Sequence, residues 1–172
     1  MTQMAKPTPL SRPLPALGLL ALLIAADQAI KLWVEAALPL QQPIELLPML
    51  ALFRTYNEGI AFSFLAGQSE WTLVAVTTLI VCFVVYLWRS TAPDRFFAHL
   101  GYALIVGGAI GNLIDRAAYG HVVDYILVYT ETWSFAVFNL ADSFITVGAV
   151  SIVLDEILAW RQGRTTPKDQ AE

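Results

Sequence analysis

An apolar run is followed by a polar segment in residues 107–124, Gly-Gly-Ala-Ile-Gly-Asn-Leu-Ile-Asp-Arg-Ala-Ala-Tyr-Gly-His-Val-Val-Asp. The polar segment ends in the carboxylate of Asp124. At helical spacing, Gly108, Asn112 and Arg116 lie four residues apart and share one stripe. The stretch therefore predicts a helix with one polar stripe, and the segment that follows it delivers Asp124.

A second stripe on the same helix contains only small residues. Ala103, Gly107 and Gly111 again lie four residues apart. Small residues at this spacing let the backbone of another membrane helix approach closely. The helix is thus expected to present a packing face beside its polar face.

The composition is that of a membrane protein. The chain has 172 residues, of which 57% are hydrophobic and 14% charged, and its mean hydropathy is +0.61. Four apolar segments approach or exceed the roughly 20 residues needed to cross a bilayer, and these are residues 14–38, 71–88, 96–113 and 135–160. We predict an all-α membrane protein with four transmembrane helices.

The distribution of lysine and arginine predicts the orientation. Seven of these residues lie in the two tails and in the connection between the second and third spans, whereas two lie in the other loops. Positive residues favour the cytoplasmic side. The tails, residues 1–13 and 161–172, are therefore expected in the cytoplasm around a transmembrane domain at residues 14–160. Segments 39–70 and 115–134 are expected outside.

The first outer segment is too polar and too rich in proline to span the membrane. Short aliphatic and aromatic runs predict a small β-sheet resting on the outer face, with strands at residues 44–47, 50–56 and 60–64. Asn57 and Gly59 follow the second of these runs. By themselves they indicate no more than a turn.

A second carboxylate, Asp142, follows at the start of the fourth span in Phe-Asn-Leu-Ala-Asp-Ser, residues 138–143. It lies seven residues beyond Phe135, which is roughly 10 Å along a helix. Asp124 lies in the second outer segment, so both aspartates are expected near the outer membrane surface. Asn139, Ser143 and Thr146 share the helix face of Asp142.

Two adjacent carboxylates can hydrolyse an amide bond. They share a proton, because both cannot ionise cheaply when close together. The ionised member takes a proton from water, and the protonated member donates to the peptide carbonyl. Asn112 and Arg116 have the donors to orient a carboxylate or to hold substrate backbone.

Other interpretations of these polar residues stay open on the residues alone. Asp115, Arg116 and Asp142 can form ion pairs that hold the helices together. Buried carboxylates also occur in proton-coupled transporters and channel subunits, although no broken-helix repeat is evident. In the first span, Asp27 and Lys31 form either a structural ion pair or a support for the aspartate pair.

The sequence predicts no metal site and no cofactor, since His121 lacks neighbouring ligands at metal-binding spacing. The single cysteine, Cys82, is expected to be a packing residue. There is no basic stripe suited to nucleic acid, and no obligate protein partner is evident.

Five blocks of the chain, in order, resemble those of the bacterial lipoprotein signal peptidase family, also called signal peptidase II. They are Asp27-x-x-x-Lys31, Asn57-x-Gly59-x-Ala61-Phe62-Ser63, Gly107-Gly108-x-x-Gly111-Asn112-x-x-Asp115-Arg116, Val122-Val123-Asp124 and Phe138-Asn139-x-Ala141-Asp142. The resemblance covers nearly the whole chain apart from its tails, and five blocks in sequence are highly specific.

This resemblance implies an intramembrane aspartic peptidase of the bacterial inner membrane, with its site near the periplasmic face. Its substrates would be prolipoproteins, cut before a cysteine that carries a diacylglyceryl group, in contact with membrane lipids. Asp124 and Asp142 match the catalytic pair. The positions implied to line or support the site are Asp27, Lys31, Asn57, Gly59, Gly108, Asn112, Arg116, Asn139 and Ala141.

The predicted orientation can be tested with reporter fusions at Gly67 and His121. Both fusions should report a location outside the cytoplasm, because both positions lie in loops poor in lysine and arginine. Fusions after residue 12 and after residue 161 serve as controls and should report a cytoplasmic location. A cytoplasmic signal at Gly67 or His121 would contradict the placement of the aspartates.

Overall fold

The computed structural model describes residues 6–59, 70–161 and 163. Within these residues the protein is mostly helical, with four helices and one small sheet. In chain order the elements are α1 (Pro13–Ala37), β1 (Ile44–Leu47), β2 (Leu50–Asn57), α2 (Glu70–Arg89), α3 (Phe96–Tyr119), β3 (Val122–Val128) and α4 (Leu140–Arg161). All four helices are long and apolar enough to cross a membrane. The predicted four-helix membrane architecture is confirmed.

Helix α3 extends beyond the apolar run at residues 96–113, as the stripe formed by Gly108, Asn112 and Arg116 predicted. The residues from 115 onward were also assigned to an outer segment, and the first of these are helical. The helix continues to Tyr119 and ends at Gly120, whose φ of 77° is left-handed and suits a glycine C-cap. Asp115 and Arg116 are therefore helical, and the buried Asp115 is satisfied by partners inside the protein.

Helix α4 begins later than predicted. Residues 135–139 run as an extended segment beside β3, where the Phe135 N–H donates to the Val128 carbonyl at 2.8 Å. Phe138 also pairs with Ile126. The apolar run indicated helix here, but hydrogen bonds to β3 satisfy the backbone instead. Asp142 consequently lies in the first turn of α4, and the expected 10 Å along the helix is wrong.

The sheet is antiparallel with strand order β1-β2-β3. Strand β1 matches the predicted bounds, and β2 extends one residue further to include Asn57. Strand β3 was not predicted, because its residues were interpreted as part of an outer loop. The expected strand at residues 60–64 lies outside the described residues.

Arg54 attaches the sheet to the end of α1. Its guanidinium donates to the carbonyl oxygens of Glu35 at 2.6 Å and Leu38 at 3.0 Å, which are left free where the helix ends. Below this contact, Val34 and Leu38 pack against Val123 and other residues of β3. The sheet is thereby fixed to the helical bundle at the end of the bundle where α4 begins.

Helix α3 is the centre of the bundle and packs against each of the other three helices. Its contact with α4 is close enough that a Cβ added to Gly101 would lie 2.6 Å from the Gly148 carbonyl oxygen. On another face, Gly107 and Gly111 contact α1, and a Cβ on Gly111 would lie 2.5 Å from Asp27 Oδ2. The predicted small-residue face is therefore the contact surface for α1.

Helix α2 has no residue buried within its membrane-spanning window. Near its end, Trp88 Nε1 donates to His99 Nδ1 on α3 at 2.8 Å, and the other ring nitrogen of His99 lies 3.1 Å from the Ala92 carbonyl oxygen. Helix α2 therefore lies on the outside of the bundle, and both ring nitrogens of His99 have partners near the start of α3.

Replacing Gly111 by leucine should separate α1 from α3. The added side chain would collide with Asp27, and overpacking of a close contact costs about 1–3 kcal/mol. We expect a lower midpoint of thermal unfolding and less monodisperse protein in detergent. Gly18→Leu is the matched control, because a Cβ at Gly18 on α1 meets nothing within 4 Å. Equal stability of the two variants would contradict the close contact.

Candidate active site

Asp124 lies on β3 and is almost completely buried, with 1% of its surface exposed. Both of its oxygens accept hydrogen bonds from side-chain amides: Oδ2 from Asn57 Nδ2 at 2.9 Å and Oδ1 from Asn139 Nδ2 at 2.7 Å. Asn57 stands opposite Val122 in the β2–β3 register, which makes it a diagonal neighbour of Asp124 on one sheet face.

The environment of Asp124 favours its neutral form. Burial is the largest cause and raises the pKa of this carboxyl from 3.8 to about 6. The amide hydrogen bonds from Asn57 and Asn139 oppose the shift, while the negative charge of Asp142 adds to it. Asp124 therefore has a carboxyl group that can be protonated at near-neutral pH.

Asp142 is held at the start of α4 by a reciprocal pair of hydrogen bonds with Asn139. The Asp142 N–H donates to Asn139 Oδ1 at 3.0 Å, and the Asn139 N–H donates to Asp142 Oδ2 at 3.2 Å. This is the geometry of a capping box, with the asparagine at the N-cap and the aspartate three residues later. The remaining oxygen, Oδ1, accepts from Asn112 Nδ2 at 2.8 Å.

Asn139 connects the two aspartates. Its backbone and its amide oxygen hold Asp142, and its amide nitrogen donates to Asp124 and, at 3.1 Å, to Asn112 Oδ1. The residue is completely buried, so water does not compete for these bonds. One side chain therefore sets the position of both carboxylates.

Behind this pair lies a buried ammonium group, Lys31 Nζ. It contacts Asp27 at 2.9 Å, Asp115 at 2.8 Å and Asn112 Oδ1 at 2.9 Å. Because the ammonium donates to the amide oxygen of Asn112, the amide nitrogen faces Asp142. The Asp27–Lys31 ion pair is present, and it also connects to the carboxylate pair through Asn112.

Arg116 lies near the same carboxylates without a short ion pair to either. The charges of Asp142, Asp124 and Asp115 all act on its guanidinium. Its Nε is buried and has no hydrogen-bond partner among the described residues. A buried N–H without an acceptor is unusual.

Three small residues complete the arrangement. A Cβ on Gly108 would collide with the carbonyl oxygen of Ala141, so glycine lets α3 reach the start of α4. The Ala141 N–H in turn donates to Asp27 Oδ1 at 3.2 Å.

Gly59, with φ of 94°, donates its N–H to Asn57 Oδ1 at 2.9 Å and so fixes the amide that holds Asp124. The eleven residues named from the resemblance thus lie in one contact network, apart from Arg116, which is linked by charge.

Three residues of this network were missing from the expected set. Gln28 donates to Asp115 Oδ1 at 2.9 Å and to the Gly111 carbonyl at 3.2 Å. Asp115 is an acceptor for Lys31, and the Tyr125 hydroxyl accepts the N–H of the first α4 residue. A polar residue within an apolar span was the signal for Gln28. Tyr125 had no signal beyond its place next to Asp124.

The fold is that of a multi-pass membrane protein, and its buried polar site contains two aspartates linked through Asn139. Comparisons with known proteins place it more narrowly. A family model described as signal peptidase (SPase) II matches residues 19–158. The lipoprotein signal peptidase of Sinorhizobium fredii is 58% identical over 155 residues, covering 90% of this chain and 93% of that protein. That of Allorhizobium ampelinum is 55% identical over 153 residues, covering 89% and 94%.

Solved structures agree with this placement. Two are described as bacterial membrane enzymes determined by the in meso method at 1.9 and 2.3 Å resolution. The first has a TM-score of 0.75 at 27% identity and covers 88% of this chain and 96% of its own. The second has a TM-score of 0.80 at 25% identity, with coverages of 95% and 98%.

The chain belongs to the signal peptidase II family. It is a multi-pass membrane protein and a peptidase that acts on signal peptides. Membership in a peptidase family decides against the transporter and channel interpretations that the polar residues alone left open. The predicted family resemblance is confirmed.

The buried state of Asp124 predicts how stability depends on pH. Because its folded pKa is raised, the stability linked to this group is complete below about pH 4 and is lost as the pH rises through about 6. The full difference corresponds to roughly 3 kcal/mol. Asp124→Asn should remove this dependence, so its thermal unfolding midpoint should rise less than that of wild type between about pH 7.5 and pH 5.5.

Glu58→Gln serves as the control for that measurement, because Glu58 is exposed. This variant should keep the pH response of the wild type. If Asp124→Asn and the wild type gained the same stability on acidification, Asp124 would not be the group that takes up the proton.

Proposed function

We propose that this protein is an intramembrane aspartic endopeptidase that removes the signal peptide from prolipoproteins, cutting before a cysteine that carries a diacylglyceryl group. The family and its lipoprotein signal peptidase relatives support the substrate class. The observation that carries the mechanism is the single Asn139 side chain, fully buried, that holds Asp124 and Asp142 together.

The two carboxylates divide the chemistry between them. One is ionised and removes a proton from the attacking water, while the other is protonated and donates to the oxygen of the scissile carbonyl. Water adds to the carbonyl carbon, and the C–N bond of the tetrahedral intermediate then breaks as a proton is returned to the leaving amine. The negative charge of Asp142 contributes to the raised pKa of Asp124, so the proton state of one carboxyl depends on the other.

The surrounding residues keep this pair in position through reaction cycles. Asn57 and Asn139 supply neutral donors to Asp124, and Asn112 supplies one to Asp142. Lys31 fixes the orientation of Asn112 while it compensates the charges of Asp27 and Asp115. Pre-oriented groups of this kind need no reorganisation when charge develops.

Arg116 is assigned to the substrate. Its buried Nε has no acceptor among the described residues, and the substrate backbone offers carbonyl oxygens of the kind this donor lacks. A guanidinium beside the carboxylates can hold the peptide in an extended form, because it offers several donors in a fixed plane. Gly108, Gly59 and Ala141 act by allowing close approach rather than by contact with the reacting atoms.

The placement in the membrane follows the charge distribution. Residues 14–160 form the catalytic domain, the tails at residues 1–13 and 161–172 are cytoplasmic, and the site lies near the periplasmic face of the inner membrane. The diacylglyceryl chains stay in the bilayer and hold the scissile peptide at this depth. The proposal includes membrane lipids as contacts but no cofactor, metal ion or obligate protein partner.

Conversion of either aspartate to asparagine should abolish cleavage of a diacylglyceryl-modified prolipoprotein by the purified enzyme. Asparagine keeps the shape of the side chain but does not take up and release a proton at working pH. The double variant should be no slower than either single variant, because the two residues act as one unit. EDTA should leave the wild-type rate unchanged.

Asp155→Asn is the matched control on α4. Asp155 is also buried, but it pairs with Arg95 in the last part of the helix, away from Asn139. Its cleavage rate per folded molecule should stay near that of wild type. Near-normal cleavage by Asp124→Asn or Asp142→Asn, or loss of activity in EDTA, would refute the aspartic mechanism.

A further inference from the structure

The first three N–H groups of α4 each donate to a side chain, and the three side chains come from three parts of the chain. A helix leaves its first four N–H groups without partners inside the helix. The caps are Tyr125 Oη on the Leu140 N–H at 3.1 Å, Asp27 Oδ1 on the Ala141 N–H at 3.2 Å and Asn139 Oδ1 on the Asp142 N–H at 3.0 Å. Asp27 and Asn139 already belong to the proposed site. The phenol of Tyr125 does not.

Tyr125 is held rigidly enough to act as a cap. Only 4% of its surface is exposed, and it packs in one cluster with Val34, Leu38 and Val123. Burial raises the pKa of its hydroxyl to about 12. The phenol therefore stays neutral at working pH and does not exchange protons with the aspartates.

The backbone of Tyr125 reinforces the same contact. Its N–H donates to the carbonyl of Phe138 at 3.1 Å, just before the helix. The side chain then accepts the N–H of Leu140, the first residue of α4. Tyr125 directly follows Asp124 in the chain. These two adjacent residues therefore supply one carboxylate of the pair and a cap at the start of α4, the helix that carries Asp142.

We propose that Tyr125 is a positioning residue for the reaction, whose phenol oxygen fixes the first turn of α4 and so holds the Asp142 carboxylate in place relative to Asp124. The inference rests on the proposed function, in which these two carboxylates perform the hydrolysis. It assigns the role to the hydroxyl group and not to the ring, which contributes to packing.

The test replaces Tyr125 by phenylalanine, which keeps the ring and removes only the acceptor. The Leu140 N–H then lacks a partner, and the first turn of α4 loosens. We expect kcat to fall by about 10-fold with KM nearly unchanged, because misplacement of a reacting group affects the chemical step. Amide hydrogen exchange in residues 139–142 should become faster.

Tyr129→Phe is the matched control for this change. Its hydroxyl donates to Glu45 Oε1 at 2.9 Å in an exposed position, so the same atom is removed from the same strand region without touching α4. Its kcat and its exchange rates at residues 139–142 should equal those of wild type.

A second variant, Leu140→Pro, distinguishes loss of the cap on the Leu140 N–H from loss of side-chain packing. Leu140 is the first helical residue, a position where proline fits well and where its missing N–H needs no cap. In a Leu140→Pro protein, the Tyr125→Phe change should therefore cost less than about 2-fold in kcat, since there is no N–H left to satisfy. If Leu140→Pro does not fold, kcat and hydrogen exchange of Tyr125→Phe decide alone.

Wild-type kcat and exchange in Tyr125→Phe would overturn the inference, as would an equal loss of kcat in both backgrounds. Either result leaves the proposed function intact if Asp124→Asn and Asp142→Asn are still inactive. If those two variants cleave substrate, the proposed function itself fails, whatever Tyr125→Phe shows.

Discussion

A buried ammonium group is the constraint on which the rest of the site depends. Lys31 is 3% exposed, and an unpaired charge in such a place is strongly unfavourable. It is stabilised by Asp27 on its own helix and by Asp115 and Asn112 on α3. These contacts form only if α1 and α3 pack with Lys31 at the level of Asp115 and Asn112. The small-residue face of α3 makes that approach possible.

A chain of hydrogen bonds leads from this contact to the two aspartates of the proposed mechanism. Lys31 orients Asn112, Asn112 binds Asp142, and Asn139 joins Asp142 to Asp124. The two carboxylates nevertheless have different surroundings. Asp124 is enclosed and receives hydrogen bonds from two neutral amides, whereas Asp142 is partly exposed and receives a backbone N–H at the positive end of a helix. The enclosed member, Asp124, is the one whose burial raises its pKa.

The sequence predicted the parts of this protein that depend on local pattern. Four apolar runs defined four helices, and the spacing of Gly107 and Gly111 indicated a packing face. It did not predict β3 or the late start of α4, because both depend on pairing between Ile126 and Phe138. Over short apolar runs, hydrophobic periodicity does not distinguish a strand from a helix. Asp115 was expected only as a member of an interhelical ion pair, and its partner in the structure is Lys31 on α1.

The site itself could be predicted only in part from the residues. Asp124 and Asp142 stood out as a pair, but hydrolysis was one of several interpretations until the family resemblance was considered. The links between them are invisible in the sequence, because Asn112 on α3, Asn139 at the start of α4 and Asp124 on β3 meet only when these three elements pack. Tyr125 shows the same limit: its ring is an ordinary core side chain, and its hydroxyl acquires a role only at the start of α4.

The contact between Asp27 and the Ala141 N–H joins residues 114 positions apart in the chain, which has a consequence for biosynthesis. Chains are made from the N-terminus, so α1 enters the bilayer before its distant partners exist. At that stage Asp27 and Lys31, one helical turn apart, neutralise each other and lower the cost of inserting two charges. When α3 arrives, Lys31 also binds Asp115 and Asn112. The start of α4 comes last, so the contacts that hold Asp142 beside Asp124 form only after that part of the chain has been made.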